Sequence, residues 1–502
     1  MSLCIISQLL AFPDQIDTPQ MRQGFIEYMN HMIKGKSYEG LLNIEAKLKD
    51  RALYSPQGLM ATTKWLLAYG DFEKEETTPP EHAVFGVLYL CLIVSGFLGR
   101  VTKEDLPYDM VRNANFNSRE DIGADFVRAL YICTEVAKDR ALYLEHDFVD
   151  FNTAFEKYYG YSIEQYTSVI FGLYAYFSND SRSINANCFV KVIDIFSNTL
   201  INDIANKIIE EMMVTPEEAR HVALDSLNDD WDFLLFWQKP FLTIDGEAAI
   251  PFAYRTLFSN FLIALKIKIE KCLTGKEKSR FHKFFGKVFE EYVSKVLERS
   301  VIDNQSLRMI DEFPYTGKKS PDAMLLFGKR KLFAFEAKGK YMRTPSVFKP
   351  ETGPVLAEIE RLIIEPLYQL HDRLIELIEN PRPHLDFKKI GYIYLFSVSV
   401  SGISTNPPIQ RAIAQRLTEK FSLPAIKGYY WLSIEEFEML CSLIEHPPKG
   451  RSVFNVLDQI TDSGHSFHNY MAFTYKVKRP RLLEEKHEEM FGKILNANQF
   501  KH

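Results

Sequence analysis

Cysteine is scarce and scattered in this chain. Six residues, Cys4, Cys91, Cys133, Cys188, Cys272 and Cys441, are spread over 502 positions. None stands in a C-x-x-C pair or beside a cluster of histidines. That spacing excludes a zinc ribbon and a disulfide framework, and it predicts free buried thiols in a reducing compartment. Long apolar runs are missing too. Residues 83–99 (AVFGVLYLCLIVSGFLG) are uncharged for 17 positions, at the short edge of the roughly 17–25 residues that a bilayer span needs. They follow Thr78-Pro79-Pro80-Glu81, a capping sequence that suits a buried helix, so no membrane partner is expected. Met1-Ser2-Leu3-Cys4-Ile5 carries no basic region and no small-residue cleavage site. No signal peptide and a cytoplasmic location are therefore expected. Gly317-Lys318-Lys319-Ser320 lacks the earlier glycine of a phosphate-binding loop, and no G-x-G-x-x-G follows a strand. An ATPase and a dinucleotide-binding enzyme drop out. Low-complexity segments and fixed-period repeats are absent as well.

What is present is an ordinary globular composition, 46% hydrophobic and 25% charged, with 38 Phe and 25 Tyr to build cores. The length predicts roughly two to four domains. Residues 1–230 read mainly as helices. Capping patterns recur at Thr102…Asp105, Thr153…Glu156, Ser162…Gln165 and Thr215-Pro216-Glu217-Glu218. No catalytic cluster shows there: His146-Asp147 and His221 stand alone. This region is expected to sense, recruit or oligomerise, with a second copy or another protein as partner. The texture changes over residues 231–277, where Asp245-Gly246 between short apolar runs predicts a hairpin and residues 252–273 predict a helix. Residues 278–445 form the next unit, and residues 446–502 a helical extension. In that extension His465 and His468 have no matching ligand set, so no metal site is read there.

The densest chemistry lies in residues 321–338, PDAMLLFGKRKLFAFEAK. Two apolar runs flank the turn Gly328-Lys329-Arg330-Lys331, which predicts a β-hairpin. Alternation puts Glu336 and Lys338 on one face and Ala337 on the other. With Asp322 across from Glu336, two carboxylates and one ammonium share a small space. Such carboxylates can hold Mg²⁺, a hard cation that keeps several waters. A bound metal polarises a phosphoryl oxygen and acidifies its water, and Lys338 can orient that water or stabilise charge on a phosphate.

Pro321-Asp322…Glu336-Ala337-Lys338 resembles the motif of the PD-(D/E)XK nuclease superfamily. Gly286-Lys287-Val288-Phe289-Glu290, on a predicted amphipathic helix over 279–299, is similar to that family's Gly-x-x-Phe-Glu helix pattern. The order of predicted elements is also similar: a strand over 306–313, the hairpin, a helix over 355–378 and a buried strand over 390–400. The resemblance covers residues 278–445. It implies a mixed α+β and α/β fold, with a large N-terminal α-helical region followed by a restriction endonuclease-like αβββαβ core. It implies Mg²⁺, or Mn²⁺ in its place, held by Asp322, Glu336, the Ala337 carbonyl and Glu290. Lys338 completes the catalytic set. The expected activity is a metal-dependent DNA endonuclease of restriction or phage defence. An RNA nuclease, or a helical interaction protein with a non-cleaving core, are the alternatives.

Charge points the same way. Residues 271–350 hold 18 Lys and Arg against 9 Asp and Glu, a balance of +9 in a chain of net −6, which leaves −15 elsewhere. A local basic surface on an acidic protein suits a phosphate backbone. Lys318, Lys319, Lys329, Arg330, Lys331, Lys340 and Arg343 flank the motif and are the expected nucleic-acid contacts. No DNA-recognition module is present to read base sequence.

Overall fold

The computed structural model describes residues 1–11, 18–36, 54–72, 80–98, 104–116, 121–177, 190–243, 246–252, 260–348, 351–379, 387–475 and 478–497. It is a mixed α and β protein with two main sheets. The smaller has four short strands: β1 (Val190–Lys191), β2 (Met213–Val214), β3 (Phe241–Thr243) and β4 (Ala248–Pro251), in the order β1-β4-β3-β2. The N-terminal region is thus not purely helical, since β1 and β2 lie within residues 1–230. Strands β3 and β4 pair antiparallel, as the Asp-Gly signal predicts. Asp245 itself lies outside the described residues, as do Thr78, Pro79, Gly99, Thr102 and Cys188. The helix expected over 252–273 runs from Phe261 to Cys272, and residues 253–259 are not described.

The larger sheet carries the hairpin. It contains β5 (Leu307–Asp311), β8 (Ala323–Phe327), β9 (Lys331–Lys338), β10 (Tyr392–Ser399) and β11 (Ile426–Ser433), in the order β11-β10-β9-β8-β5. A small excursion, β6 (Pro314–Tyr315) and β7 (Lys318–Lys319), leaves and re-enters between β5 and β8. Pairing is antiparallel from β5 through β9 and parallel from β9 through β11. The parallel steps need crossovers, and helices supply them. Residues 352–379 cross from β9 to β10, and Pro407–Lys420 crosses from β10 to β11.

Helices cover both faces of this sheet. The alternation of β9 sends Phe333, Phe335 and Ala337 to the face under Gly275–Val301 and Ile434–Glu445. Leu332 and Ala334 go to the other face, under residues 352–379 and Pro407–Lys420. Both faces are apolar because both are covered. The crossover helix has a π-turn at Glu360–Ile364. There the Leu362 carbonyl accepts a hydrogen bond from Ser397 Oγ on β10, at 2.9 Å, so the wide turn is paired with the sheet.

The cores do not follow the expected boundary at residue 230. Helices Ile122–Tyr131, Phe151–Tyr159 and Ile163–Phe177 share one hydrophobic core with Gly275–Val301 and the larger sheet. Helices Ser2–Ala11, Pro19–Ile33, Pro56–Tyr69 and Pro80–Phe97 build a second core with Trp231, Phe233, Phe236, Leu242 and Ile250. Among the described residues no helix is long and apolar enough to cross a membrane. Within Pro80–Phe97, Val84, Val87, Leu88, Cys91 and Val94 are buried against its helical neighbours.

Candidate active site

Strand register builds the site. Strands β8 and β9 pair Ala323 with Phe335. One step further, Asp322 stands across from Glu336, and its Oδ2 accepts a hydrogen bond from the Ala337 amide at 2.8 Å. Ala337 thus enters the site through its N–H. Glu336 and Lys338 share a face, and Lys338 Nζ donates to Glu336 Oε1 at 2.5 Å. Glu336 is 1% exposed. A carboxylate buried that deeply needs cationic partners, and it has a second one. Arg373, on the helix Glu365–Glu379, donates to Glu336 Oε2 and lies 3.9 Å from Asp322 Oδ1.

Glu290 approaches from the helix Gly275–Val301. The helix and the exit of β9 come together at two glycines. A Cβ on Gly339 would lie 3.0 Å from Gly286 Cα and 3.1 Å from the Phe285 carbonyl oxygen. Glu290 is four residues beyond Gly286, on the same helix face. Lys287, inside the same pattern, binds Asp147 Oδ2 at 2.5 Å, and Lys283 binds Oδ1 at 2.9 Å. The apparently isolated Asp147 therefore pins this helix from the N-terminal region.

Electrostatics couples the three carboxyls. Burial pushes the Asp322 carboxyl well above its ordinary value, and the charges of Glu336 and Glu290 add to this. Lys338 and the Ala337 amide oppose it. Glu290 is pushed up to about 7, first by burial and then by Glu312, with Glu336 adding and Lys338 opposing. Crowded carboxylates with raised pKa values favour a bound cation or proton. The donor set, carboxylate oxygens at a strand end, suits a hard divalent ion. Asp322, Glu336 and Glu290 are the residues that would hold it. Among the described residues, however, no group of three or more Asp, Glu, His or Cys is arranged to hold a metal. Both Glu336 oxygens are taken by Lys338 and Arg373.

The expected nucleic-acid contacts divide. Lys319 binds Glu312 and feels the charges of Glu290 and Asp322, so it borders the site. Lys318 binds Glu376, three residues beyond Arg373 on the same helix. Lys340 lies two residues past Lys338 and faces Arg361, whose charge joins burial in lowering its pKa. Arg343 binds the buried Glu358 at 2.7 Å. Lys329, Arg330 and Lys331 are elsewhere. They occupy the turn at the opposite end of the hairpin, about 20 Å from Glu336 at the rise of a β-strand. Lys331 Nζ lies 3.9 Å from the centre of the Phe454 ring. A hairpin puts its turn and its ends at opposite poles, so these three residues are near the motif in sequence and far from it in space.

Arg373 and Glu312 are the site residues that sequence reasoning missed. Arg373 left a faint signal. It falls among Leu367, Leu370, Leu374 and Leu377, the apolar stripe of its helix, where a charge needs a buried partner. The histidines noted in the sequence have other settings. His146 and His221 are exposed, and the His468 amide caps onto Glu436 at 3.0 Å.

Compared with known proteins, the chain matches no family model, no curated protein and no solved structure.

Proposed function

We propose that the chain is a divalent-metal-dependent nuclease of the PD-(D/E)XK type, with DNA as substrate and a role in restriction or phage defence. The αβββαβ succession of residues 275–399 is in keeping with this reading. The observation that carries it is the meeting of Asp322, Glu336 and Lys338 at one end of the β8–β9 hairpin, joined through the Ala337 amide. When bound, Mg²⁺ supplies Lewis acidity and an acidified water. The chain's residues do the rest. The Ala337 amide fixes the rotamer of Asp322. Lys338, neutralising Glu336, holds an ammonium where negative charge develops on a phosphate. Glu290, reaching in from the helix beside Glu336, would offer a further carboxylate oxygen to the ion. Lys319, Lys340 and Arg343 offer backbone contacts on the side of the site.

A non-cleaving nucleic-acid-binding protein is the second reading. It is favoured by one observation, that Glu336 already has both oxygens satisfied by cations. A cleavage assay decides between them. Plasmid, linear and single-stranded DNA and RNA would be incubated with the full chain in Mg²⁺, Mn²⁺ or EDTA. Metal-dependent cutting of DNA is expected. Cutting of RNA alone would move the substrate to RNA, and binding without cutting in any metal would leave the second reading.

A further inference from the structure

We propose that Arg373 is a resident counter-cation. It occupies the space between Asp322 and Glu336, must leave it when a divalent ion enters, and is thereby delivered to the substrate phosphate. The inference rests on the nuclease reading for its phosphate step only.

The geometry argues for it in three ways. First, Arg373 sits where a shared cation would sit. One nitrogen, Nη1, donates to Glu336 Oε2 and lies 3.9 Å from Asp322 Oδ1. The remaining carboxylate oxygens point elsewhere: Glu336 Oε1 to Lys338, Asp322 Oδ2 to the Ala337 amide. A metal bridging the two acids would need oxygens that face the guanidinium. Mg²⁺ binds oxygen at about 2.0–2.1 Å, which leaves no room for an N–H on that side.

Second, Arg373 is free to move where Lys338 is not. Lys338 belongs to the strand and keeps Glu336 Oε1 whatever happens to Oε2. Arg373 reaches in from a helix on a long side chain that is 26% exposed. It also makes a long contact, Nη1 to the Ser320 carbonyl at 3.4 Å. Such a side chain swings outward with little change to its stem.

Third, the displaced group has the right chemistry. A guanidinium presents a planar fork of donors that matches phosphate oxygens and stays charged at any working pH. Displacement by metal would move this fork from a carboxylate to the position next to the metal-bound phosphate.

Calorimetric titration of Mn²⁺ into the full chain tests the inference. Wild type would be compared with Arg373→Ala, Arg373→Gln and Arg373→Lys. Removing the competing charge should tighten Mn²⁺ binding by about tenfold in the Ala and Gln variants, with Lys between them and wild type. DNA cleavage by the same variants should fall, with KM raised. A merely structural arginine would act the other way, loosening the site and weakening metal. Mn²⁺ affinity that is equal or weaker in both Ala and Gln variants, including no binding in any of the proteins, would overturn the proposal. Should the Ala variant fail to fold, the Gln variant decides alone. Absence of cleavage by wild type would count against the nuclease reading, and the Mn²⁺ comparison would still decide where Arg373 sits.

Discussion

Gly286 and Gly339 bring the helix and the strand of the site together. A side chain on Gly339 would press its Cβ to 3.0 Å from Gly286 Cα. The obstacle is helix backbone, which cannot turn aside as a flexible side chain would. The steric demand falls on Gly339, since a Cβ built on Gly286 would meet nothing within 4 Å. Gly339 lets the chain leave β9 against the helix, one turn before Glu290.

Gly339→Ala should therefore destabilise the protein by about 1–3 kcal/mol, the usual cost of overpacking. It should also lower activity, because the exit of β9 must shift away from Glu290. Urea denaturation measures the first effect and plasmid cleavage the second. A variant as stable and active as wild type would mean that the two elements are not in contact in solution.

Asp322→Ala should reduce cleavage to background while the apo protein holds its stability or gains. The loss follows from removing an oxygen donor for a hard cation. The gain follows from relief of repulsion, since Glu336 and Glu290 both raise the Asp322 carboxyl. Thermal melts in EDTA and cleavage in Mg²⁺ check the pair. Full activity in the variant would remove Asp322 from the site.

Glu290 makes the site sensitive to pH. Its carboxyl moves from an ordinary 4.5 to about 7 on folding. Between those values the unfolded chain gives up the proton and the folded chain keeps it. The unfolded state is favoured by that difference, so apo stability should fall as pH rises from about 4.5 to about 7. Glu290→Gln cannot ionise. It should flatten this fall and be the more stable protein at pH 8, by on the order of 2 kcal/mol. Asp322 shifts in the same direction, so some slope will remain. Melts of both proteins in EDTA from pH 4 to 8 provide the measurement. Parallel curves would show that neither burial nor the neighbouring carboxylates raise the Glu290 carboxyl.

Local pattern made much of this legible. Alternation along β9 placed Glu336 with Lys338, and the turn at Gly328 set the register that brings Asp322 across from Glu336. Those are short-range consequences of a period of two, and they needed no knowledge of the rest of the chain. Arg373 was hidden because it arrives from a helix about 35 positions further on. Nothing in the hairpin encodes the angle of that helix. The turn residues Lys329 to Lys331 show the opposite effect: nearness in sequence became distance from Glu336 once the hairpin closed. The boundary at 230 was drawn from a change in texture, which reports local composition. It does not report which helices share a core.

That sharing leads to the last prediction. Arg128, on the helix Ile122–Tyr131, is 3% exposed. It donates to both oxygens of Glu438, at 2.6 and 2.7 Å, and to Asp125 at 2.8 Å. Tyr292, two residues beyond Glu290, donates to the same Glu438 at 2.5 Å. Asp125 in turn accepts from the Phe261 amide at 2.6 Å. One buried network thus ties the helix Ile122–Tyr131 to the helix that bears Glu290. Breaking such a pair from one side strands a buried charge, at about 3–5 kcal/mol. Arg128→Ala should cost that much in denaturant unfolding. It should also weaken Mn²⁺ binding, because Tyr292 and Glu290 share one rigid helix. A fragment beginning near residue 231 loses Arg128 and Asp125 outright, together with Phe126, Phe151 and Phe155 from the core. It should be insoluble or molten, while the full chain melts cooperatively. A soluble fragment 231–502 that binds Mn²⁺ as well as the full chain would show that the helices before residue 230 are dispensable for the site.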